Sequence, residues 1–205
     1  MSSDPDEYDE TVSFSDDHRR VDGHTFLDGY EAHDIAETQV ITHLSHVGLD
    51  VEAWGIDMRH DNSVLGDSKM DLKAFDGDAL AALIEIKTKR NPDWYGVLNR
   101  QHFRKYLVHA HDHDVFTGIY MSLLDEANER LIRDAIIPIQ EWDELTRVRE
   151  GAYDFYTDAE TFLKEQVDKH PQVERTFRAP DGRQVVKLDL DTAVAWPTLT
   201  YRLFN

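Results

Sequence analysis

The chain reads as an α/β fold in which helices flank a mixed central sheet. Three features carry that reading. An apolar stripe of helical period runs over 29–47. Two stretches of alternating residues flank the turn signal Asp76-Gly77-Asp78. A second helical stretch, over 96–111, is then followed by an extended one over 117–124. Helix, strands, helix, strand is the order of an α/β fold around a mixed sheet.

Each element has its own local cause. In the first helix Ala36, Val40, Ile41, Leu44 and Val47 recur at helical spacing, and Gly48 is a natural stop. A strand is expected near 51–56. Residues 69–75 and 80–89 form a hairpin around Asp76-Gly77-Asp78. Asn91-Pro92-Asp93 breaks the chain. The second helix carries Phe103, Tyr106, Leu107 and Ala110 on its apolar side. A strand at 117–124, a helix at 125–134 and a strand at 135–139 follow. Thr157-Asp158-Ala159-Glu160 has capping-box form and starts a helix to about Lys169. Residues 173–178 and 184–189 make a second hairpin around Pro180-Asp181-Gly182. A length of 205 residues suits one core with extensions. No repeat or low-complexity linker interrupts it.

Composition narrows the chemistry. With no cysteine, disulfides, thiolate metal sites, iron–sulfur clusters and cysteine nucleophiles are excluded. No apolar run reaches 18 residues, so no membrane helix is expected. The polar, acidic start MSSDPDEYDE lacks the form of a secretory signal, and an intracellular, cytoplasmic protein is expected. The 41 acids against 22 Lys and Arg give a net charge of −19. Residues 1–17 hold seven acids and no Lys or Arg, and read as a disordered tail. So acidic a chain argues against a nucleic-acid partner, which calls for cations. However, 27 Asp against 14 Glu with only 8 Lys resembles the surfaces of proteins from salt-loving archaea and their viruses. In molar salt the Debye length is about 3 Å and surface repulsion is screened. An origin in a halophilic archaeon or its virus removes the objection from net charge.

The chemistry-bearing residues lie on the first hairpin. Along a strand, i and i+2 share a face. Ile84 and Ile86 therefore point one way, and Glu85, Lys87 and Lys89 the other. A hairpin centred near Asp78 puts Asp71 opposite Glu85, whereas a tighter turn slides them about one rung apart. Either arrangement lets two carboxylates and an ammonium converge. Carboxylates are hard ligands suited to Mg²⁺. A bound metal lowers the pKa of a water and stabilises charge on a phosphate, and a lysine alongside assists both. The plain alternative is a surface ion pair. Glu37, beside the apolar stripe of the first helix, adds a carboxylate that is costly there unless paired or metal-bound.

Glu37, Asp71 and Glu85-Ile86-Lys87, in this order on helix, strand and strand, resemble the PD-(D/E)XK nuclease superfamily. That fold is shared by many restriction enzymes, archaeal Holliday junction resolvases and recombination exonucleases. The stretch from Glu37 to Gly48 is similar to its first helix, and Met70-Asp71 stands where the naming Pro-Asp pair would be. The resemblance covers about 29–124. It implies a restriction endonuclease-like αβββαβ core over 18–140 and a C-terminal helix and β-hairpin extension over 141–205. It implies metal binding by Asp71, Glu85 and the Ile86 carbonyl, water activation assisted by Lys87, and support from Glu37. The cofactor would be Mg²⁺, with Mn²⁺ able to substitute, the partner DNA, and a homodimer a compatible assembly.

Local charge points the same way. Residues 86–108 carry Lys87, Lys89, Arg90, Arg100, Arg104 and Lys105 against Asp93 alone, +5 in a chain of −19. Arg100 and Arg104, and Gln101 and Lys105, are each a helical turn apart. Trp94 and Tyr95 are placed to stack on a base or sugar. This is a path for a phosphate backbone, with Gln101 as the substrate contact the resemblance implies. Reversing Arg100 and Arg104 should then matter more than reversing Arg183 in the C-terminal hairpin. Two other readings stand beside the nuclease. His109, His111 and His113 superficially suit a zinc hydrolase, although their order is wrong for the usual His-rich loop. A nuclease fold that has lost catalysis and only binds DNA is the other.

Overall fold

The computed structural model describes residues 26–55, 69–90, 94, 96–125, 130–152, 158–179 and 182–195. The acidic segment 1–17, the break at Asn91-Pro92-Asp93, Tyr95, Thr157 and the turn residues Pro180 and Asp181 lie outside them.

Helix α1 (Phe26–His46) buries Ala32, Ala36, Val40 and Leu44, spaced four apart. Ile41 was expected in that stripe, yet it is 36% exposed, because the fourfold spacing turns it toward solvent. Gly48 ends the helix at φ +91°, a left-handed conformation that an L side chain resists. Strands β1 (Asp50–Ala53), β2 (Leu72–Asp76) and β3 (Ala79–Arg90) then pair antiparallel in sequence. The expected hairpin is present, but its loop is only Gly77-Asp78, with Gly77 at φ +59°. Glycine at the first of two loop positions suits the right-handed twist of the flanking strands.

That tight turn alone would displace Asp71 from Glu85 by one rung. A register shift between Ala74 and Phe75 undoes the displacement: Phe75 faces Leu80, whereas Ala74 faces Ala82 and Leu72 faces Ile84. Carried one step on, the same register sets Asp71 opposite Glu85. A bulge therefore restores the alignment that a longer loop was expected to give.

Strand β4 (Gly96–Asn99) and helix α2 (Arg100–His113) replace the single helix expected over 96–111. The reason is Asn99. Its backbone is extended, and its side chain accepts the Gln101 N–H at 2.8 Å, which caps the helix and keeps it from starting earlier. Strands β5 (Phe116–Leu124) and β6 (Leu131–Pro138) are antiparallel to each other, and β5 runs parallel to β3. Residues 131–134, expected at the end of a helix, extend the β5–β6 ladder instead, where pairing overrides local propensity. The five-stranded sheet has the order β1-β2-β3-β5-β6 and is mixed, as expected.

The two helices cover opposite faces of the sheet. Ile84, Ile86, Tyr120 and Ile136 pack with α1, while Leu83, Ile119, Met121 and Ile137 pack with Phe103, Tyr106 and Leu107 of α2. Beyond lie α3 (Asp143–Arg149), which was not foreseen, and α4 (Ala159–Gln166). The N-cap of α4 is Asp158, whose carboxylate accepts the Thr161 N–H at 2.7 Å, and not the Thr157 of the supposed capping box. The C-terminal hairpin, β7 (Val173–Arg178) and β8 (Gln184–Leu188), forms as expected. It also joins β4 in a second sheet of order β4-β8-β7, so the C-terminal segment is built into the fold beside the start of α2. With β4 committed to that second sheet, the observed order is not the bare αβββαβ expected.

Candidate functional site

Strand β2 stops at Leu72, one residue short of Asp71, while β3 continues past Glu85. Asp71 still belongs to the sheet, since its carbonyl accepts N–H groups from Trp54 at 2.8 Å and Gly55 at 3.2 Å. Its side chain takes the next place in the ladder: Oδ2 accepts the Ile86 N–H at 2.6 Å. The carboxylate is thus fixed against the strand that carries Glu85 and Lys87. In an extended strand a residue's N–H and C=O leave on the same side, so the Ile86 carbonyl faces this edge too.

Glu85 is 4% exposed, on the α2 face of the sheet. Its Oε1 accepts hydrogen bonds from the Lys87 ammonium and, at 2.5 Å, from the Tyr106 hydroxyl. Burial, helped by the charge of Asp71, raises the Glu85 carboxyl above its ordinary value against the pull of Lys87 and Tyr106. Burial works the other way on Lys87, but the charges of Glu85 and Asp71 outweigh it and hold the ammonium above its ordinary value. Tyr106 is raised well above the ordinary phenol by burial and the Glu85 charge, so its hydroxyl remains a donor.

On the α1 side His33 bridges two of the expected acids. Its Nδ1 lies 3.6 Å from Glu37 Oε2, and its Nε2 lies 3.7 Å from Asp71 Oδ2. Burial would lower the imidazole, but its hydrogen bond to Asp71 and the charges of Asp71 and Glu37 hold it above its ordinary value. Burial would likewise raise Asp71; the His33 bond, Lys87 and the Ile86 N–H instead bring it below the ordinary carboxyl. Among the described residues, His33, Asp34 and Glu37 place ligand atoms within 4.8 Å of one another. Asp71 is tied to that set through His33, and to Glu85 and Lys87 through the Ile86 amide. The donors are carboxylate oxygens with one imidazole, a set that fits a divalent cation of the Mg²⁺ or Mn²⁺ kind.

Sequence reasoning missed three contributors. His33 precedes Glu37 by four residues on one helix, and that i,i+4 spacing was a readable signal. Tyr106 was counted only as apolar, although a tyrosine inside a buried stripe needs a partner for its hydroxyl. Gly55 gave no signal: a Cβ there would sit 3.3 Å from Asp71 Cα and 3.4 Å from its Oδ1, so the absence of a side chain lets β1 approach the acid.

The expected basic stripe is rearranged. Arg100 is buried, with Nε donating to Asp168 at 2.8 Å and an Nη to the Lys164 carbonyl at 2.7 Å. Arg104 is buried as well. Both work inside the fold and not along an exposed stripe, because α2 is covered on that side by the C-terminal segment. Gln101 and Lys105, one turn apart, are half-buried, as is Lys89, whose Nζ reaches the Val97 carbonyl at 3.5 Å. Trp94 has the Arg133 guanidinium 4.6 Å over its ring. Arg90 ends β3, and its side chain is outside the description. The last three histidines of α2 do not gather at one point: His109 and His113 stack on each other at 6.1 Å and pack edge-on to Trp54, at 5.1 and 5.8 Å, while His111 falls on another face near Arg149.

No family model matches the chain, and no curated protein matches it. A similar solved structure is Hjc of Archaeoglobus fulgidus, a Holliday junction resolvase from an archaeal hyperthermophile. Its TM-score is 0.46 at 12% sequence identity, with 82% of this chain and 98% of that one covered. So distant a likeness carries no argument about this site.

Proposed function

We propose that the chain is a metal-dependent nuclease that hydrolyses phosphodiester bonds in DNA, with Asp71, Glu85 and Lys87 at its centre. One observation carries the reading: Asp71 is held by the Ile86 amide at the end of β2, alongside a buried Glu85 bonded to Lys87. Two acids and an ammonium kept together at a sheet edge, at the expense of burial, have little structural purpose of their own.

Asp71, Glu85 and the Ile86 carbonyl would hold the cation, with Glu37 and His33 supporting it from α1. A bound Mg²⁺ or Mn²⁺ supplies an acidified water and stabilises negative charge on the phosphate. The rest is the chain's own work. Lys87 keeps its proton and offers positive charge where the phosphate gains negative charge. Tyr106 fixes the orientation of Glu85. His33 fixes Asp71 and Glu37 relative to each other. Gln101 and Lys105 face the substrate from the first turns of α2. The zinc-hydrolase alternative has no gathered ligand set among the described residues of α2, and the presence of all three of Asp71, Glu85 and Lys87 in one cluster favours catalysis over binding alone.

A panel of four-way junction, duplex and single-stranded DNA, incubated with Mg²⁺ or Mn²⁺ across dilute to molar KCl, tests the proposal. Cleavage of at least one form, abolished by chelation, is expected. Activity restored only by zinc and lost in His109→Ala would replace it with the hydrolase reading.

A further inference from the structure

We propose that the β7–β8 hairpin is a second nucleic-acid grip, holding the phosphate backbone of a DNA duplex that flanks the cleaved bond. The inference rests on the nuclease reading for the identity of the polyanion. Its grounds lie elsewhere in the molecule.

The first ground is where the cations go. Arg100 and Arg104 are turned into the fold, so α2 offers a phosphate chain less than its sequence suggests. Residues 173–188 hold Arg175, Arg178, Arg183 and Lys187 against Glu174 and Asp181, a local +2 in a chain of −19. Lys187 is ion-paired to Glu174 at 2.5 Å. Arg175, Arg178 and Arg183 are exposed.

The second ground is shape. β7 is the edge of the β4-β8-β7 sheet, and residues Glu174 to Arg178 are exposed without interruption. Arg175 and Arg178 are three residues apart, about 10 Å along a strand. Being an odd number apart, they point to opposite faces of the edge strand, whereas Arg183 lies on the face that carries Arg175 and Phe177. Phe177, 39% exposed, lies 5.2 Å beneath the Arg175 guanidinium, which gives that cation a flat support.

The third ground is position. β8 pairs with β4 so that Val185 faces Asn99, the cap of α2. Arg183, two residues before Val185, therefore lies beyond the end of β4, beside the first turn of α2. His102 in that turn is pushed down to about 4 by burial and then by Lys87, Lys105 and Arg183 together. The hairpin thus brings Arg183 to the end of α2 that carries Gln101 and Lys105. This reverses the expectation that Arg183 matters less than Arg100 and Arg104. The competing role for these arginines is to guard an open strand edge against pairing with another chain.

The test is duplex DNA affinity as a function of salt, by fluorescence anisotropy, for the full chain and for a triple variant with Arg175→Glu, Arg178→Glu and Arg183→Glu. The variant should bind at least tenfold more weakly, with a log–log salt slope shallower by about 2 to 3. Its cleavage rate at saturating DNA should be unchanged, because none of the three residues touches the reacting site. A second variant with lysine at all three positions keeps the charge and should keep most of the affinity, which separates charge from folding. Unchanged affinity and slope in the glutamate variant would overturn the grip and leave the arginines as edge guards. A parent chain that binds DNA but cleaves none under any metal would overturn the nuclease reading and leave the grip standing. A parent that binds no DNA would overturn both.

Discussion

At the scale of single residues, the site is a set of acids held by partners that an unaided sequence shows incompletely. The nearness of Asp71, Glu85 and Lys87 was legible to within one rung, because strand alternation and one turn signal bring them to the same end of the hairpin, and the bulge at Ala74/Phe75 then sets the register. Tyr106 was not, because a tyrosine at an apolar position of a helix reads as packing until the opposite strand is known. Removing its hydroxyl leaves Glu85 buried with Lys87 as its remaining donor. Tyr106→Phe should therefore lower cleavage about tenfold or more and destabilise the fold by about 1–2 kcal/mol. Single-turnover rates and thermal melts measure both, and an unchanged rate would make Tyr106 a packing residue only. His33 was also missed, although its spacing to Glu37 was visible, because the contact that gives it a role, to Asp71, is long-range. An imidazole among carboxylates favours Mn²⁺ over Mg²⁺. His33→Gln should weaken Mn²⁺ binding by calorimetry more than Mg²⁺ binding. Equal effects on the two ions would remove His33 from the ligand set.

At the scale of elements, the first hairpin and the C-terminal hairpin were both readable, since turn residues sit between alternating runs in each. The bulge at Ala74/Phe75 was not, because no turn residue marks it, and β4 was not, because its partner β8 is distant in sequence; the β6 ladder was not, because pairing with β5 overrides a helical local pattern. The joint between the core and the C-terminal segment depends on His170, which is buried between the rings of Phe103 and Trp142. Its Nδ1 accepts the Gln172 N–H at 3.1 Å, so the ring proton belongs on Nε2, 3.3 Å from the Gln140 carbonyl. Burial pushes this histidine down to about 4. A folded value below the ordinary 6.5 means that folding favours the neutral ring. The associated stability is complete above pH 6.5 and is lost as the pH falls from there toward 4, with a magnitude on the order of 3 kcal/mol. His102, pushed down to about 4 as well, adds to the loss in the same window. Denaturant midpoints at pH 7.5 and 4.5 should differ clearly in the parent chain and less in His170→Leu. Equal pH dependence in the two would show that His170 does not set it.

At the scale of the whole molecule, an excess of 19 negative charges governs how the chain meets both solvent and substrate. Self-repulsion should destabilise the fold in dilute buffer and be screened in concentrated salt. Melting temperature and cleavage should both rise from dilute to molar KCl, and best performance in dilute buffer would contradict the halophile reading. The sequence made this charge plain but not its distribution. Which arginines turn inward depends on Asp168 and the Lys164 carbonyl, more than sixty residues from Arg100, and no local pattern encodes that. The central claim remains that one half-buried cluster, built around the buried Glu85, performs phosphodiester hydrolysis. Single-turnover cleavage and DNA affinity, measured side by side on Asp71→Ala, Glu85→Ala and Lys87→Ala with the fold checked by circular dichroism, test it most directly. Each variant should stay folded and bind DNA within a few fold of the parent, while each rate should fall by about a hundredfold or more. Full cleavage by any one of the three, or a loss confined to affinity, would contradict it.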